Sequence, residues 1–120
     1  MGEDKEFYFK INDSIWKIYE YDVETMKKEY NARHDEDAYY LFGLTRYPEH
    51  EIWLNKEVCM DQKMKTLKHE LTHCYIWSYG MYYVPHYTEE MVCDLVSSIN
   101  SFINLVLDMY LKYLKGSEEN

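Results

Sequence analysis

The sequence predicts one α+β domain, in which a small antiparallel sheet packs against a central helix and a long C-terminal helix. Four short runs rich in β-branched and aromatic residues occupy the first half of the chain, and two longer stretches with helical spacing of apolar residues follow. The length of 120 residues is that of a single domain, residues 1–120. Hydrophobic residues make up 47% of the chain, so we expect a packed core rather than a disordered polymer.

The four runs predict two hairpins, because turn residues separate the members of each pair. Asn12 and Asp13 form the first turn, and the segment Tyr47–Glu49, which contains Pro48, forms the second. Tight turns join antiparallel strands, so we expect an antiparallel sheet. The predicted strands are Phe7–Ile11, Ile15–Tyr19, Tyr39–Tyr47 and His50–Asn55.

Helix signals follow each hairpin. A short helix is predicted from an N-cap at Asp22 to about Tyr30, followed by a polar loop over Asn31–Asp37. A second helix is predicted between an N-cap at Asp61 and Gly80, where a glycine suits the left-handed residue that closes a helix. Its apolar residues recur at helical spacing, at Met64, Leu67, Leu71 and Tyr75.

The C-terminal helix is the longest predicted element. Thr88 is its candidate N-cap, and Gly116 is its expected end after about 25 residues. The acidic side chains of Glu89 and Glu90 suit its first turn because they offset the helix dipole. Polar residues interrupt its most apolar part, Ile99–Leu114, so the sequence predicts a core helix and not a membrane span.

The segment His69-Glu70-Leu71-Thr72-His73 is an H-E-x-x-H motif inside the second predicted helix. Residues four apart lie one above the other on a helix, so His69 and His73 aim two imidazoles at one point. Glu70 is adjacent, and its carboxylate can reach a water at that point. We therefore predict Zn²⁺ as cofactor, both histidines as ligands and Glu70 as the catalytic base. The alternative is a surface helix that happens to carry two histidines.

A catalytic zinc ion needs three protein ligands and one open position, so a later element must supply the third ligand. Glu90 lies 17 residues after His73, at the start of the next helix, and Asp94 follows one turn later on the same face. We predict Glu90 as the third ligand and Asp94 as an outer carboxylate that orients a histidine. Glu89, Asp94 and Cys93 remain alternative ligands, and compensation of the helix dipole is the structural alternative for the acids.

These two segments resemble the gluzincin metallopeptidases, in which H-E-x-x-H is followed by E-x-x-x-D in a second helix. The wider arrangement over residues 39–103 is similar to the small ImmA/IrrE-type metallopeptidase domains of bacteria and mobile elements. Those domains have a strand pair, then L-x-H-E-L-x-H, then a glutamate that begins a helix. The resemblance implies a zincin-like minimal domain and limited cleavage of a regulatory protein, such as a repressor, by metal-activated water. It does not extend to residues 1–38.

Peptide hydrolysis also needs a donor for the developing oxyanion. The sequence leaves this donor open among Tyr82, Tyr83, His86 and Tyr87. By analogy with the family, the strand His50–Asn55 is an edge that pairs with an extended substrate.

Two rival functions remain open. One is a non-catalytic module, in which zinc joins two helices and the chain binds a regulatory partner. The other is an amidase that acts on a small substrate.

Charge narrows the classes of partner. The formal net charge of −9 argues against binding to a nucleic-acid backbone or to an anionic membrane surface. A peptide or protein substrate is the expected partner, and the oligomeric state stays open. The start of the chain is polar and acidic and lacks the apolar region of a secretory signal, so the expected location is the cytoplasm.

The remaining cysteines and histidines are interpreted as structural. Three cysteines at irregular spacing form no disulfide framework. Cys74 and Cys93 are expected to be buried, small and apolar in behaviour. His34 and His50 have no partner at metal-ligand spacing, so we interpret them as surface or loop residues.

Overall fold

A computed structural model of the chain describes the backbone of residues 6–33, 41–79 and 89–119, and the side chains of residues 6–32, 41–79 and 99–116. These residues form an α+β fold of four strands and three helices. None of the described helices combines the length and apolarity that crossing a bilayer requires. The strands are β1 (Phe7–Ile11), β2 (Ser14–Tyr21), β3 (Gly43–Arg46) and β4 (Glu51–Asn55), and the helices are α1 (Val23–Arg33), α2 (Met60–Ser78) and α3 (Glu89–Glu119).

Both predicted hairpins are confirmed. Asn12 and Asp13 have positive φ angles of 48° and 70°, which their short polar side chains tolerate, and β1 pairs with β2 in antiparallel fashion. In the second hairpin His50 has a φ of 59°, and its N–H donates to the carbonyl of Tyr47 at 3.2 Å. Within the described part of the predicted Tyr39–Tyr47 strand, β3 covers Gly43–Arg46, which pairs with β4, whereas Tyr39 and Tyr40 lie outside the described residues.

The expectation of a purely antiparallel sheet is wrong, because the two hairpins meet through parallel strands. The sheet order is β1-β2-β4-β3, and β2 runs parallel to β4 with Ile18 beside Ile52. A connection that contains a helix, here α1, permits a parallel neighbour, which a tight turn does not. The predicted edge role of His50–Asn55 is therefore also wrong, since β4 lies inside the sheet. Among the described strands, β1 and β3 are the edges.

One face of the sheet carries the hydrophobic core. Alternate residues of β1, β2 and β4 point to this face, as the pleat of a strand requires, and α2 and α3 cover it. Full burial of each large apolar side chain contributes about 1.5–3 kcal/mol. The buried cluster consists of Phe7, Phe9, Ile11, Trp16, Ile18, Ile52, Leu54, Leu67, Leu71, Cys74, Val106, Leu107 and Tyr110.

Helix α1 lies against the opposite face. Asp22 caps it as predicted, because the Asp22 carboxylate accepts the N–H of Thr25 at 2.7 Å. Arg46, at the end of β3, binds Glu29 of α1 at 2.9 Å and Glu51 of β4 at 2.6 Å. The helix continues to Arg33, so the first three residues of the predicted polar loop are helical. Residues 34–37 of that loop lie outside the described residues.

The ends of the two long helices differ from prediction. Cys59, not Asp61, occupies the N-cap of α2, while Asp61 lies in the first turn, where its charge still suits the helix dipole. Helix α3 continues through Gly116 to Glu119, because one glycine weakens a helix by about 1 kcal/mol without ending it. The predicted helix stop at Gly80 and N-cap at Thr88 lie outside the described residues.

A polar network links α2 and α3 to the sheet. The carboxylate of Glu20, on β2, accepts hydrogen bonds from Lys63 Nζ of α2 at 2.7 Å and from the Tyr110 hydroxyl of α3 at 2.5 Å. Burial of these polar groups is tolerated because they satisfy one another. The network fixes where α2 lies across the sheet, and α2 carries the H-E-x-x-H motif.

Candidate metal and catalytic site

Helix α2 presents the two histidines of the motif on its exposed face. Leu67, Leu71 and Cys74 are fully buried, whereas His69 and His73 are exposed. Residues three and four apart share one side of a helix, so the buried side at 67, 71 and 74 leaves 69 and 73 together on another side. The two histidines thus lie on a face of α2 that is offset from Leu67 and Leu71.

The two imidazoles meet at their Nε2 atoms. Nε2 of His69 lies 3.2 Å from Nε2 of His73, and the ring centroids are 4.8 Å apart with an interplanar angle of 77°. Two zinc–nitrogen bonds of about 2.0–2.1 Å that meet at a tetrahedral angle span about 3.3 Å between their nitrogens. The observed separation is that of a direct hydrogen bond between the two rings, and it also lies close to the spacing of two ligands of one zinc ion.

Glu70 lies between the histidine face and the sheet. It is 7% exposed, and its Oε1 accepts a hydrogen bond of 2.6 Å from the Thr45 hydroxyl on β3. A hydrogen bond of this length to a carboxylate holds its orientation firmly. Glu70 and His69 also line a cleft of about 350 Å³ between α2 and β3, so the acid is reachable from solvent. The remaining walls are Leu41, Phe42, Gly43, Gln62, Lys65 and Thr66.

A close approach of β3 to α2 creates this contact. A Cβ atom at Gly43 would lie 2.6 Å from Cγ2 of Thr66 and 3.2 Å from the carbonyl oxygen of Trp53. Only glycine therefore fits without moving the strand, and the strand places Thr45 beside Glu70. Sequence reasoning missed both residues. A glycine inside a strand is a signal for close backbone approach, whereas no local pattern marks Thr45.

Gly43→Ala is expected to lower the free energy of unfolding by about 1–3 kcal/mol, which is the usual cost of overpacking. The buried, β-branched Thr66 cannot turn its methyl group away freely. Gly116→Ala is the matched control, because no atom lies within 4 Å of a Cβ at that position. There, we expect a gain of about 0.5–1 kcal/mol. Urea unfolding measures both variants, and a Gly43→Ala protein as stable as wild type would contradict the close approach.

The predicted third ligand cannot be placed beside the histidines. The backbone puts Glu90 in the first turn of α3 and Asp94 one turn later, but the side chains of Glu89, Glu90, Cys93 and Asp94 lie outside the described residues. So do the four candidate oxyanion donors, Tyr82, Tyr83, His86 and Tyr87. Within the described part of the chain, no group of three or more His, Cys, Asp and Glu side chains is arranged to hold a metal ion.

Packing accounts for two other residues of the region. Cys74 is fully buried, and burial, reinforced by the charge of Glu70, raises the pKa of its thiol. It stays a neutral thiol, which confirms the expectation of a small apolar residue.

The ring of His50 stacks on Trp16 with centroids 4.6 Å apart and an interplanar angle of 9°. His50 is thus a packed turn residue, in agreement with its interpretation as a loop histidine.

Comparisons of the chain with protein-family models, with curated proteins and with solved structures found no match. Functional interpretation therefore depends on the chemistry of α2 and β3. Helix α2 brings two imidazoles together, and β3 supplies the hydroxyl that binds the buried carboxylate of Glu70.

Proposed function

We propose that the chain is a zinc-dependent metallopeptidase with a zincin-like minimal domain, similar to the gluzincins and to the ImmA/IrrE type in particular. One observation carries the proposal. Two imidazole nitrogens on consecutive turns of α2 approach to 3.2 Å, and the buried carboxylate of Glu70 lines a cleft together with one of these histidines, His69. The H-E-x-x-H motif supplies the residue types that a zinc hydrolase needs, and the closeness of the two imidazoles is what that chemistry requires of them.

The proposed mechanism assigns each residue one role. His69 and His73 would hold the zinc ion, with Glu90 as the third ligand and Asp94 as a carboxylate that orients a histidine. When bound, the ion would supply Lewis acidity toward a peptide carbonyl and toward water. Glu70 accepts a proton from the attacking water and delivers it to the leaving amine.

Thr45 acts on that base as a positioning residue. Its hydroxyl donates to Oε1 of Glu70 at 2.6 Å and holds the carboxylate in one orientation. Proton transfer then needs no rearrangement of the side chain, which is the advantage of a preorganised site. Because Thr45 belongs to β3, the strand connects the position of the base to the surface on which a substrate would lie.

The proposed substrate is a peptide in extended conformation, bound along the edge strand β3. The N–H of Asn55 donates to the carbonyl of Phe42 at 2.8 Å. The alternation of an antiparallel pair then directs the main-chain groups of Gly43 and Thr45 away from β4. A peptide can add there as a further strand, close to Glu70. The substrate edge is therefore β3, and not the His50–Asn55 strand of the sequence prediction.

The burial of Glu70 favours hydrolysis over a non-catalytic zinc module. A zinc ion that only joins two helices needs ligands, but it does not need an adjacent carboxylate in a cleft. Burial of a carboxylate is unfavourable unless hydrogen bonds compensate, and here Thr45 provides one such bond. An amidase for small substrates shares the same chemistry, so only its products distinguish it from a peptidase.

Removal and return of the metal tests the proposed function. We expect the zinc-loaded protein to cleave members of a mixed peptide library, to lose this activity after chelation and to recover it with zinc. Magnesium should not restore it, because Mg²⁺ prefers octahedral oxygen ligands. Mass spectrometry of the products and metal analysis measure the outcome. Cleavage that survives complete zinc removal, or a zinc-loaded protein that cuts no peptide, would contradict the proposal.

A further inference from the structure

An apolar groove lies at the edge of the sheet opposite β3. It runs between β1 and α3 and encloses about 540 Å³. Its wall on α3 is a stripe of residues at helical spacing, namely Phe102, Leu105, Val106 and Met109. The core covers only part of this stripe, since Val106 is buried whereas Leu105 is 59% exposed. Contiguous exposed apolar surface of this kind is typical of an interaction site. We call it the β1–α3 groove.

The β1 strand directs main-chain groups away from the sheet along this groove. Tyr8 lies opposite Lys17 of β2, and the N–H of Lys17 donates toward β4, to the carbonyl of His50 at 3.0 Å. Tyr8 and Lys17 are therefore a non-hydrogen-bonded pair, whose main-chain groups point away from each other. By the same alternation Lys10 turns its N–H and C=O outward, and both outward residues line the groove. Such an edge is a template for the addition of another strand.

The outward pattern of β1 is complementary to itself. Tyr8 and Lys10 flank Phe9, so a two-fold axis at Phe9 sets Tyr8 of one copy opposite Lys10 of the other. Each such pair exchanges two main-chain hydrogen bonds, and the symmetry generates the pair twice. The axis is perpendicular to the sheet, so the α3 helices of both copies lie on the same face and both grooves meet at the axis.

The charges along β1 also suit a second copy. Lys10 has no ion-pair partner among the residues whose side chains are described. Within one chain, Glu6 accepts the Tyr8 hydroxyl and binds Lys17 at 3.8 Å, while Lys17 lies over the Tyr8 ring. Two-fold pairing brings Lys10 of one copy beside the Tyr8 ring of the other and diagonally next to its Glu6. The unpaired lysine thus gains an aromatic and an acidic neighbour, in a chain whose net charge of −9 otherwise opposes self-association.

We propose that the β1 edge and the β1–α3 groove bind a second copy of this chain, in a two-fold dimer whose four-stranded sheets join into one. Leu105 and Met109 of the two α3 helices pack across the axis, which removes their exposed apolar surface from water. The inference is independent of the metal and of the proposed hydrolysis. Because β3 is the opposite edge, the Glu70 cleft stays at the outer side of each half.

Sedimentation equilibrium of the full chain, over a wide range of concentration and at a salt level that screens the net charge, tests the proposal. We expect a monomer–dimer equilibrium in the wild type. Leu105→Glu should weaken dimerisation by about 10²-fold or more, because the symmetry replaces two buried leucines at once. Leu111→Glu is the matched control, since Leu111 is an exposed leucine of the same helix that does not line the groove. It should dimerise like the wild type.

Lys10→Pro tests the main-chain pairing. Proline has no N–H, and an edge strand tolerates it where that N–H faces outward, as it does at Lys10. The dimer, in contrast, loses one hydrogen bond from each copy. We expect this variant to keep the circular dichroism of the fold and to be monomeric at concentrations where the wild type is dimeric. Lys10→Ala is the comparison, because it keeps the N–H and loses only the charge, so it should weaken dimerisation less.

Each result supports or overturns the dimer. A wild-type chain that stays monomeric at millimolar concentration would overturn it, and the groove would then belong to a different partner. Dimers of unchanged affinity in both Leu105→Glu and Lys10→Pro would put the interface elsewhere and overturn it as well. Peptidase activity enters neither measurement, so failure of the dimer leaves the proposed function standing. A chain that dimerises as expected but cleaves no peptide would refute the proposed function alone.

Discussion

Glu70→Gln is expected to lower kcat for peptide hydrolysis by about 10²–10⁴-fold, while zinc content and stability stay near those of wild type. The glutamine oxygen can still accept the hydrogen bond of Thr45, and the side chain keeps its volume in a position that is 7% exposed. Only the ability to take a proton from water and return it to the leaving amine is lost. KM should change little, because Glu70 acts in the transition state and not in substrate binding.

Steady-state kinetics on one peptide from the library, with metal analysis and thermal unfolding, measure these quantities. Glu24→Gln is the matched control, since Glu24 is exposed in the first turn of α1, away from the site. A Glu70→Gln protein with wild-type kcat would contradict the role of general base. Loss of zinc along with activity would instead make Glu70 part of the metal site.

His73→Ala is expected to abolish stoichiometric zinc binding. The change removes one of two nitrogens that lie 3.2 Å apart, and one imidazole with one carboxylate leaves a catalytic zinc site without its usual three protein ligands. The loss of affinity should exceed the 10–100-fold or so that removal of an outer partner costs. Competition with a chromogenic zinc chelator measures it. His34→Ala serves as the control, because His34 has no ligand partner at metal spacing in the sequence.

Variants in α3 test the remaining ligands in the same assay. Glu90→Ala should behave like His73→Ala, whereas Asp94→Ala should weaken zinc by only about 10–100-fold, as expected for a residue that orients a ligand. If the Glu90→Ala variant binds zinc with unchanged affinity, the third ligand would instead be Glu89, Asp94 or Cys93. Unaltered zinc in His73→Ala would contradict the metal site as a whole.

The elements of the fold were predictable where their signals are local. Alternation and turn residues identified both hairpins, and the carboxylate of Asp22 caps α1 as its position before the helix suggests. The parallel junction between β2 and β4 was not predictable, because it depends on which strand of the second hairpin docks beside the first. Either choice satisfies the same alternating pattern, so the pattern cannot select one.

In the candidate site, too, the features set by local sequence were predictable and those set by tertiary contacts were not. The period of a helix alone determines that His69 and His73 share a face, whatever packs around them. The neighbour of the base is different: Thr45 reaches Glu70 across 25 residues of sequence, through a strand that approaches closely only because position 43 is glycine. Which strand lies over α2 follows from the packing of the whole core, where many weak contacts act together. The sequence by itself thus determined the identity and helical register of the candidate ligands and base. Only the tertiary structure decided what orients the base and which strands are the edges, because those contacts join residues that no local period relates.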